Sequence, residues 1–409
     1  MQARPILSAL RRHKLMIGLL ILEIALTCAI VCNAVFLISQ RLERTQTPSG
    51  IAEHELMLVR MAYISDHPDA NARAQADLAA LREIPGVRQV ALTDAVPFST
   101  EGPNDYVRLD PQQHQPSLSA GAYFGENLLA TLGVRLIAGR ELRPDEFVDA
   151  AQVSTAIQSG NFSNYPHVVL ITQGMAQRLW PGQSALGKKI YLGKNIGLQV
   201  VGILGRLTRS GALSRGADYS MVMPVSVNLS EGALYVIRCA PQDRARVLKA
   251  AVARLKQLDP NRALLQQDTF DQLRDDYFQG DRAMARLLVG VCVALLIVTA
   301  LGIVGLASFW VAQRRKQIGI RRALGATRGD ILRYFQSENF LIVTFGIVLG
   351  FVLAFAINTT LMRFYELDRL PLFYLPIGAI ALWCLGQMAV LGPALRASSV
   401  PPVAATRSA

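Results

Sequence analysis

Residues 287–322 read LLVGVCVALLIVTALGIVGLASFWVAQRRKQIGIRR. From Leu287 to Ala312 no side chain is charged, and then five cations arrive within nine positions. A helix rising 1.5 Å per residue needs about 20 apolar residues to cross a hydrocarbon core of about 30 Å, so this run is long enough to span a bilayer. Three further runs share the property. Leu15 to Ser39 is interrupted only by Glu23, and Asn339 to Met362 and Pro371 to Leu395 carry no charge. With 51% apolar and 18% charged residues, the chain is too apolar for an ordinary soluble protein of its length. Four transmembrane helices are expected, at 15–40, 285–312, 338–363 and 371–395. The first run is longer than the apolar stretch of a secretory leader. ISQRLER follows it in place of a small-residue cleavage site, so it reads as a retained helix.

Charge sets the orientation. Arg4, Arg11, Arg12 and Lys14 precede the first run without an acidic neighbour. Arg314, Arg315, Lys316, Arg321, Arg322, Arg328 and Arg333 stand against Asp330 alone between the second and third. The loop at 364–370 and its border are nearly balanced, with Arg363, Glu366, Asp368 and Arg369. The positive-inside rule places segments 1–14, 313–337 and 396–409 in the cytoplasm and the long segment 41–284 outside. Much of the net charge of +12 is then orientation charge, and no nucleic-acid partner is needed to explain it.

The external segment reads as a large α+β domain. ELMLVRMAYI (55–64), DANARAQADLAALREI (69–84) and VRQVALTDAV form a strand–helix–strand unit, with the helix stopped at Pro85-Gly86. ALYVIRCA (233–240), DRARVLKAAVARLKQL (243–258) and RALLQQ repeat it. Two such units are expected to pack their helices on one face of a mixed sheet. Between them, about 120–230, short strands and turns suggest an inserted β-rich lobe, with a Ser/Asn-rich loop between Phe147 and His167. The amphipathic stretch 268–290 reads as a continuous helical stalk into the second membrane helix. Only Cys239 falls in this domain, which excludes an internal disulfide there. Cys28, Cys32, Cys292 and Cys384 sit in the membrane runs. His54, His67, His114 and His167 are scattered, and neither a metal-binding nor a nucleophile–base spacing is present, so no catalytic or metal site is expected.

WPGQSALGKKI (180–190) imitates a phosphate-binding loop through Gly182, Gly187 and Lys188, but Lys189 stands where the magnesium-binding hydroxyl belongs. A helix precedes it and a strand follows, the reverse of what a phosphate loop requires. It lies outside the membrane as well. It reads as a turn, and the chain is expected to hold no nucleotide site.

RRKQIGIRRALGATRGDILRYFQSE (314–338) reads as an elbow. A short basic helix ends at Gly325, Thr327 serves as N-cap with Asp330 in the capping-box position, and a second helix runs through Ile331, Leu332 and Phe335 into the third span. Taken by themselves, the arginines either hold topology and touch anionic lipid headgroups or surround an apolar knob for a cytoplasmic partner.

The segment strongly resembles the signature of the MacB/FtsX-like permease family of ABC transporters. Arg314, Arg315, Gln317, Ile318, Gly319, Ile320, Arg321, Arg322, Ala323, Leu324, Gly325 and Ala326 fit it, followed by DIL and Glu338. TLGVRLIAGREL, ITQGMAQRLWPGQSALGKKI, VVGILG and the tail GPALRASSVPPVAATR resemble other parts of that family. Gln317 stands where many members have Glu. The resemblance implies a transporter subunit in a bacterial inner membrane, coupled through Gln317, Ile318, Gly319, Arg321, Arg322, Gly325, Ala326, Ile331 and Glu338 to a cytoplasmic ABC ATPase dimer. ATP and magnesium would be bound by that partner, and this chain is expected to lack the ATPase domain. A second permease subunit, identical or different, and a periplasmic adaptor with an outer-membrane channel are the other implied partners. The implied function is mechanotransmission for efflux of peptides, antibiotics or other large amphiphiles. The alternatives are control of a cell-wall hydrolase or sensor kinase, and extraction of lipoproteins.

Within the membrane runs, Gly346, Gly350 and Ala354, with Asn358 next in the series, form a four-residue stripe suited to close helix packing. Glu23 lies about 13 Å past Lys14. An ionised carboxylate at such depth costs on the order of 3 kcal/mol. Glu23 is therefore expected to be protonated, hydrogen-bonded to Asn358, Gln387 or Thr299, or paired across a subunit interface.

Overall fold

The structure is a computed structural model and describes residues 14–63, 69–100, 102–193, 196–211, 216–227, 234–365 and 371–399. The basic segment before Lys14, the loop 366–370 and the tail beyond Ser399 lie outside the described residues. The chain divides into two compact units, 46–280 and the remainder.

In chain order the helices are α1 (Lys14–Thr45), α2 (Ala70–Arg82), α3 (Leu128–Leu132), α4 (Ala150–Ser159), α5 (Gln173–Leu179), α6 (Arg244–Leu258), α7 (Phe270–Tyr277), α8 (Gln279–Gln313), α9 (Arg315–Ala323), α10 (Arg328–Tyr365) and α11 (Tyr374–Ser398). The strands are β1 (Leu56–Tyr63), β2 (Val87–Thr93), β3 (Asn104–Arg108), β4 (Leu118–Phe124), β5 (Leu136–Gly139), β6 (Val148–Asp149), β7 (Val168–Thr172), β8 (Lys189–Leu192), β9 (Ile196–Leu204), β10 (Ser220–Met223), β11 (Val225–Ser226), β12 (Leu234–Cys239) and β13 (Arg262–Thr269).

The large domain contains a βαββαβ unit. Its four strands lie in the order β13-β1-β12-β2, the ferredoxin-like arrangement. The sheet is antiparallel throughout rather than mixed, because the two strand–helix–strand units interleave and each strand of one borders a strand of the other. Alternation along the strands assigns the faces. Met57, Val59, Met61, Val90, Tyr235 and Ile237 pack against Leu78 and Leu81 of α2 and Val247, Ala251 and Leu255 of α6. Beneath those helices Arg262 Nη1 reaches Asp77 Oδ2 at 2.6 Å, with both side chains at or below 2% exposure.

The inserted lobe begins at Asn104, earlier than the sequence suggests. Strands β9-β7-β10-β4-β3-β8 close into a barrel, since β8 pairs with both β3 and β9, and β5 extends one side of β9. Val107, Ala120, Ala122, Val169, Ile171, Ile190, Leu198, Val200 and Met221 form a common core with Met175 and Leu179 of α5. Tyr123, Leu170, Leu204 and Val222, on the opposite faces of these strands, pack on Leu56, Leu58, Ala91, Leu234 and Val236 of the first sheet.

Two expectations are corrected here. The Ser/Asn-rich stretch between Phe147 and His167 holds α4, a ten-residue helix whose N-cap Asp149 accepts from the Ala151 amide at 2.7 Å. The stalk at 268–290 is not continuous. Its first residues belong to β13, a capping box of Thr269 and Gln272 starts α7, and the backbone breaks at Phe278. The Phe278 side chain is fully buried, with Phe98 and Tyr277 at ring separations of 5.2 and 4.9 Å, and this anchor outweighs helix continuity.

Among the described residues, four helices are long and apolar enough to span a bilayer: Leu15–Thr45, Gln279–Gln313, Arg328–Thr360 and Tyr374–Ser398. α1 touches all three others. Cys28 faces Gly350 of α10, Cys32 faces Gly378 of α11, and Thr27 Oγ1 meets Thr299 Oγ1 of α8 at 2.8 Å. Asn33 Nδ2 donates to the carbonyls of Ala29 and, across the interface, Ala354. Where α1 ends and α8 begins, Arg41 and Arg44 flank Asp281 at 2.6 and 3.9 Å.

Candidate functional site

The elbow is built from local signals. At Arg314 the backbone leaves helical geometry (φ −97°, ψ 11°) and separates α8 from α9. At the end of α9 the Ala326 amide donates to the Arg321 carbonyl at 3.1 Å, and the Gly325 amide to that of Arg322 at 3.2 Å. Gly325 has φ +99°, a value that strains any residue with a Cβ. Thr327 Oγ1 then accepts from the Asp330 amide at 3.2 Å, while Asp330 Oδ2 accepts from the Thr327 amide at 3.0 Å and its hydroxyl at 2.6 Å. These donations from Thr327, helped by nearby Arg333, hold the Asp330 carboxyl below its usual range. From Arg328 the chain is helical without interruption through the third span.

The two helices are clamped together. Ile318 of α9 packs with Ile331 and Phe335 of α10 and with Ala394 and Ala397 of α11. Arg314 Nη1 reaches both carboxylate oxygens of Glu338, at 2.9 and 3.2 Å, and lies 3.5 Å from the Tyr334 hydroxyl. Glu338 is 1% exposed. The Arg314 guanidinium also lies over the Trp310 ring at 5.7 Å, and that of Arg321 over Tyr334 at 5.0 Å. Moving the α8–α9 junction away from α10 would strand a buried carboxylate, and Ile318 holds α9 itself against α10, so the elbow is held as one piece.

The coupling residues expected from the sequence therefore separate by role. Ile318, Gly319, Ile331 and Glu338 are buried in the clamp, and Arg322 and Ala326 are half-buried. Gln317, Arg321 and Gly325 are exposed. The outer surface also carries Ile320 and Leu324, 48% and 84% exposed, which the sequence reading left out of its coupling set. Their signal was the helical spacing of 317, 320, 321 and 324 against the buried pair 318 and 319.

Gly346, Gly350 and Ala354 line the α1–α10 contact. A Cβ added at Gly346 would lie 2.6 Å from Ile24 Cγ2, and one at Gly350 would lie 2.5 Å from Cys28 Cβ. Among the described residues Glu23 takes none of the three hydrogen-bond partners expected within the chain. Its carboxylate lies against Gly302 of α8, while Thr299 is bonded to Thr27, and Gln387 points its amide at the Gln336 carbonyl at 3.5 Å. Asn358 is buried but belongs to another depth. Ile24 is level with Gly346, so Asn358 lies twelve residues, or about 18 Å, further along α10.

The phosphate-loop imitation is a folded turn in the large domain. Gly182 and Gly187 have φ +70° and +78°, and the Gly187 and Lys188 amides donate to the carbonyls of Val200 and Ala185. Lys188 Nζ bonds Gln183 Oε1 at 2.5 Å and lies over Trp180. The groups that would cradle a phosphate are spent on the turn.

Four bilayer-length helices, an amphipathic elbow and one large α+β domain define a multi-pass membrane protein of the permease type. The chain belongs to the MacB/FtsX-like permeases: residues 23–255 match the MacB-like periplasmic core domain, and residues 289–402 match the FtsX-like permease C-terminal domain. It is 25% identical over 419 residues to a macrolide export ATP-binding/permease protein MacB 1/2 of Paracoccus denitrificans, covering 98% of this chain and 58% of that one. It is 25% identical over 252 residues to MacB of Neisseria gonorrhoeae, covering 60% of this chain and 37% of that one. The chain thus spans between about a third and three-fifths of the length of these relatives. Among solved structures, the periplasmic region of MacB from Actinobacillus actinomycetemcomitans is similar at 14% identity, with a TM-score of 0.33 over 58% of this chain and 97% of that one. The extracellular domain of the noncanonic ABC-type transporter YknZ is similar at 15% identity, with a TM-score of 0.31 over 51% of this chain and all of that one.

Proposed function

We propose that this chain is the membrane permease of an ABC transporter and passes the motion of a cytoplasmic ATPase dimer, through the elbow, to a periplasmic domain. In this reading the elbow and both termini face the cytoplasm of a bacterial inner membrane, and a second permease subunit completes the assembly. ATP and magnesium are bound by the ATPase. The carrying observation is the clamp. The elbow exposes Ile320 of α9 and Leu324 just past its end, and Arg314 at its start is tied to Glu338 of α10, so force applied to the exposed face is delivered to a membrane helix. The relatives' designation as macrolide export proteins supports efflux of large amphiphiles as the purpose.

The test is co-purification of the ATPase in mild detergent. Leu324→Asp is the informative variant, because at 84% exposure the side chain contributes little to the fold. Arg321→Glu is less clean, since it also removes the contact with Tyr334. The wild type is expected to retain the ATPase and Leu324→Asp to lose it with no change in thermal stability. Equal retention by both would refute the elbow as the coupling surface.

A further inference from the structure

The large domain holds two adjoining hollows that no step of the coupling reading uses. One, of about 370 Å³, lies between α2 and the β6–β11 edge of the lobe and is walled by Ala74, Leu78, Leu92, Phe147 and Val227, with Asn71, Gln75 and Asp149 among its polar groups. The other, of about 340 Å³, is walled by Leu128, Leu129, Leu142, Pro144 and Val222, with Arg82 and Glu141. Glu126 and Phe147 line both and so sit at their junction.

Each hollow falls within the volume range of small-molecule sites, and each sets apolar side chains beside at least as much polar lining, with Gln152 and Ser226 adding to the polar side of the first. The charge is one-sided: Glu126, Glu141 and Asp149 face one Arg82. Asp149 is occupied by the Ala151 amide and by Asn71. Glu126 Oε1 accepts the Ser226 hydroxyl at 2.6 Å, but among the described residues Glu126 Oε2 and the Glu141 carboxylate take no partner. Phe147 adds an aromatic ring, which attracts cations and disfavours anions at its face.

We infer that this cleft is a binding site for an amphipathic organic cation, whose apolar body fills the hollows while its charge rests between Glu126 and Glu141. The inference rests on the permease reading and deepens it, since such a ligand is a candidate cargo of the periplasmic domain. Apolar walls alone would accept neutral and anionic amphiphiles equally. Glu126 and Glu141, neither of them paired with a cation among the described residues, favour the cation, because an anion would meet both carboxylates and have Arg82 alone to pair with.

Tetraphenylphosphonium and tetraphenylborate have the same shape and opposite charge, and they serve as the probe and its control. Binding is measured by equilibrium dialysis against the full-length chain in nanodiscs, with empty nanodiscs subtracted. The two ions are measured separately, because they pair with each other; the wild type is expected to bind the phosphonium saturably and the borate only as empty nanodiscs do. Glu126→Gln/Glu141→Gln should weaken binding on the order of tenfold or more, equivalent to about 1.4 kcal/mol per tenfold. Gln75→Trp, which places an indole from an exposed helix position into the cleft, should abolish binding without disturbing the carboxylates. Asp149 is left intact because it caps α4. The inference is overturned by non-saturable binding of the phosphonium, by equal saturable binding of the borate, or by binding unchanged in either variant. Leu324→Asp should bind the phosphonium as the wild type does, so failure here and failure of the ATPase test are separate results.

Discussion

Removing Arg314 is the sharpest test of the clamp. Its Nη1 is the charged group that meets Glu338 Oε1 and Oε2, at 3.2 and 2.9 Å, and Glu338 is 1% exposed. Breaking a buried pair by deleting one partner costs about 3–5 kcal/mol, because the remaining charge is left in low dielectric. The Arg314 side chain is 17% exposed, so water reaches one side of the pair, and the lower end of that range applies. A loss of about 3 kcal/mol raises the local opening equilibrium roughly hundredfold. Amide hydrogen exchange in nanodiscs reads this directly, as faster exchange of the first three turns of α10 in Arg314→Ala. Arg315→Ala is the control, since Arg315 is exposed. The second arm is Arg314→Met/Glu338→Leu. Replacing both charges by apolar groups of similar size is often neutral, so protection should return toward that of the wild type. Unchanged exchange in Arg314→Ala, or a double variant as open as the single, would refute the clamp.

Two further expectations concern packing and pH. Gly350→Ala puts a Cβ 2.5 Å from Cys28 Cβ and 2.9 Å from the Ala25 carbonyl, and overpacking of this kind costs about 1–3 kcal/mol. Gly305→Ala meets nothing within 4 Å and should be neutral or slightly stabilising; equal thermal midpoints for the two variants would remove the close α1–α10 contact from the account. In the large domain, burial lifts the Asp94 carboxyl to about 6, against the Phe124 amide and Thr93 hydroxyl that favour its ionised form. A raised folded pKa stabilises the protonated protein, so this contribution is complete below the ordinary aspartate value of 3.8 and is lost as pH rises through about 6. Asp94→Asn should therefore gain up to about 3 kcal/mol over the wild type at pH 7.5 and nothing below pH 4, and a stability difference flat across that range would contradict it.

What was legible in the chain is what neighbours in sequence decide. Apolar run length gave the membrane helices, period-2 and helical patterning gave the two strand–helix–strand units, and Gly325, Thr327 and Asp330 marked the elbow turn, because each of these acts within about one or two helical turns. α4 was missed although its cap was visible, since Val, Ser, Thr and Ile carry weak helical preference and Asp149 was read as loop. The strand order, the closure of the barrel through β8 and β9, and the break at Phe278 follow from partners distant in sequence. So does the pairing of Arg314 with Glu338, which joins residues on either side of two helix boundaries. The sequence by itself determined most of the helices, strands and turns, α4 and the break at Phe278 excepted, and which helices are apolar enough for a bilayer. Only the tertiary structure decided that Arg314 and Glu338 are a buried pair, that Ile320 and Leu324 face outward, and that Glu126 and Glu141 share a cleft. Periodicity specifies a face, and long-range packing alone specifies what that face meets.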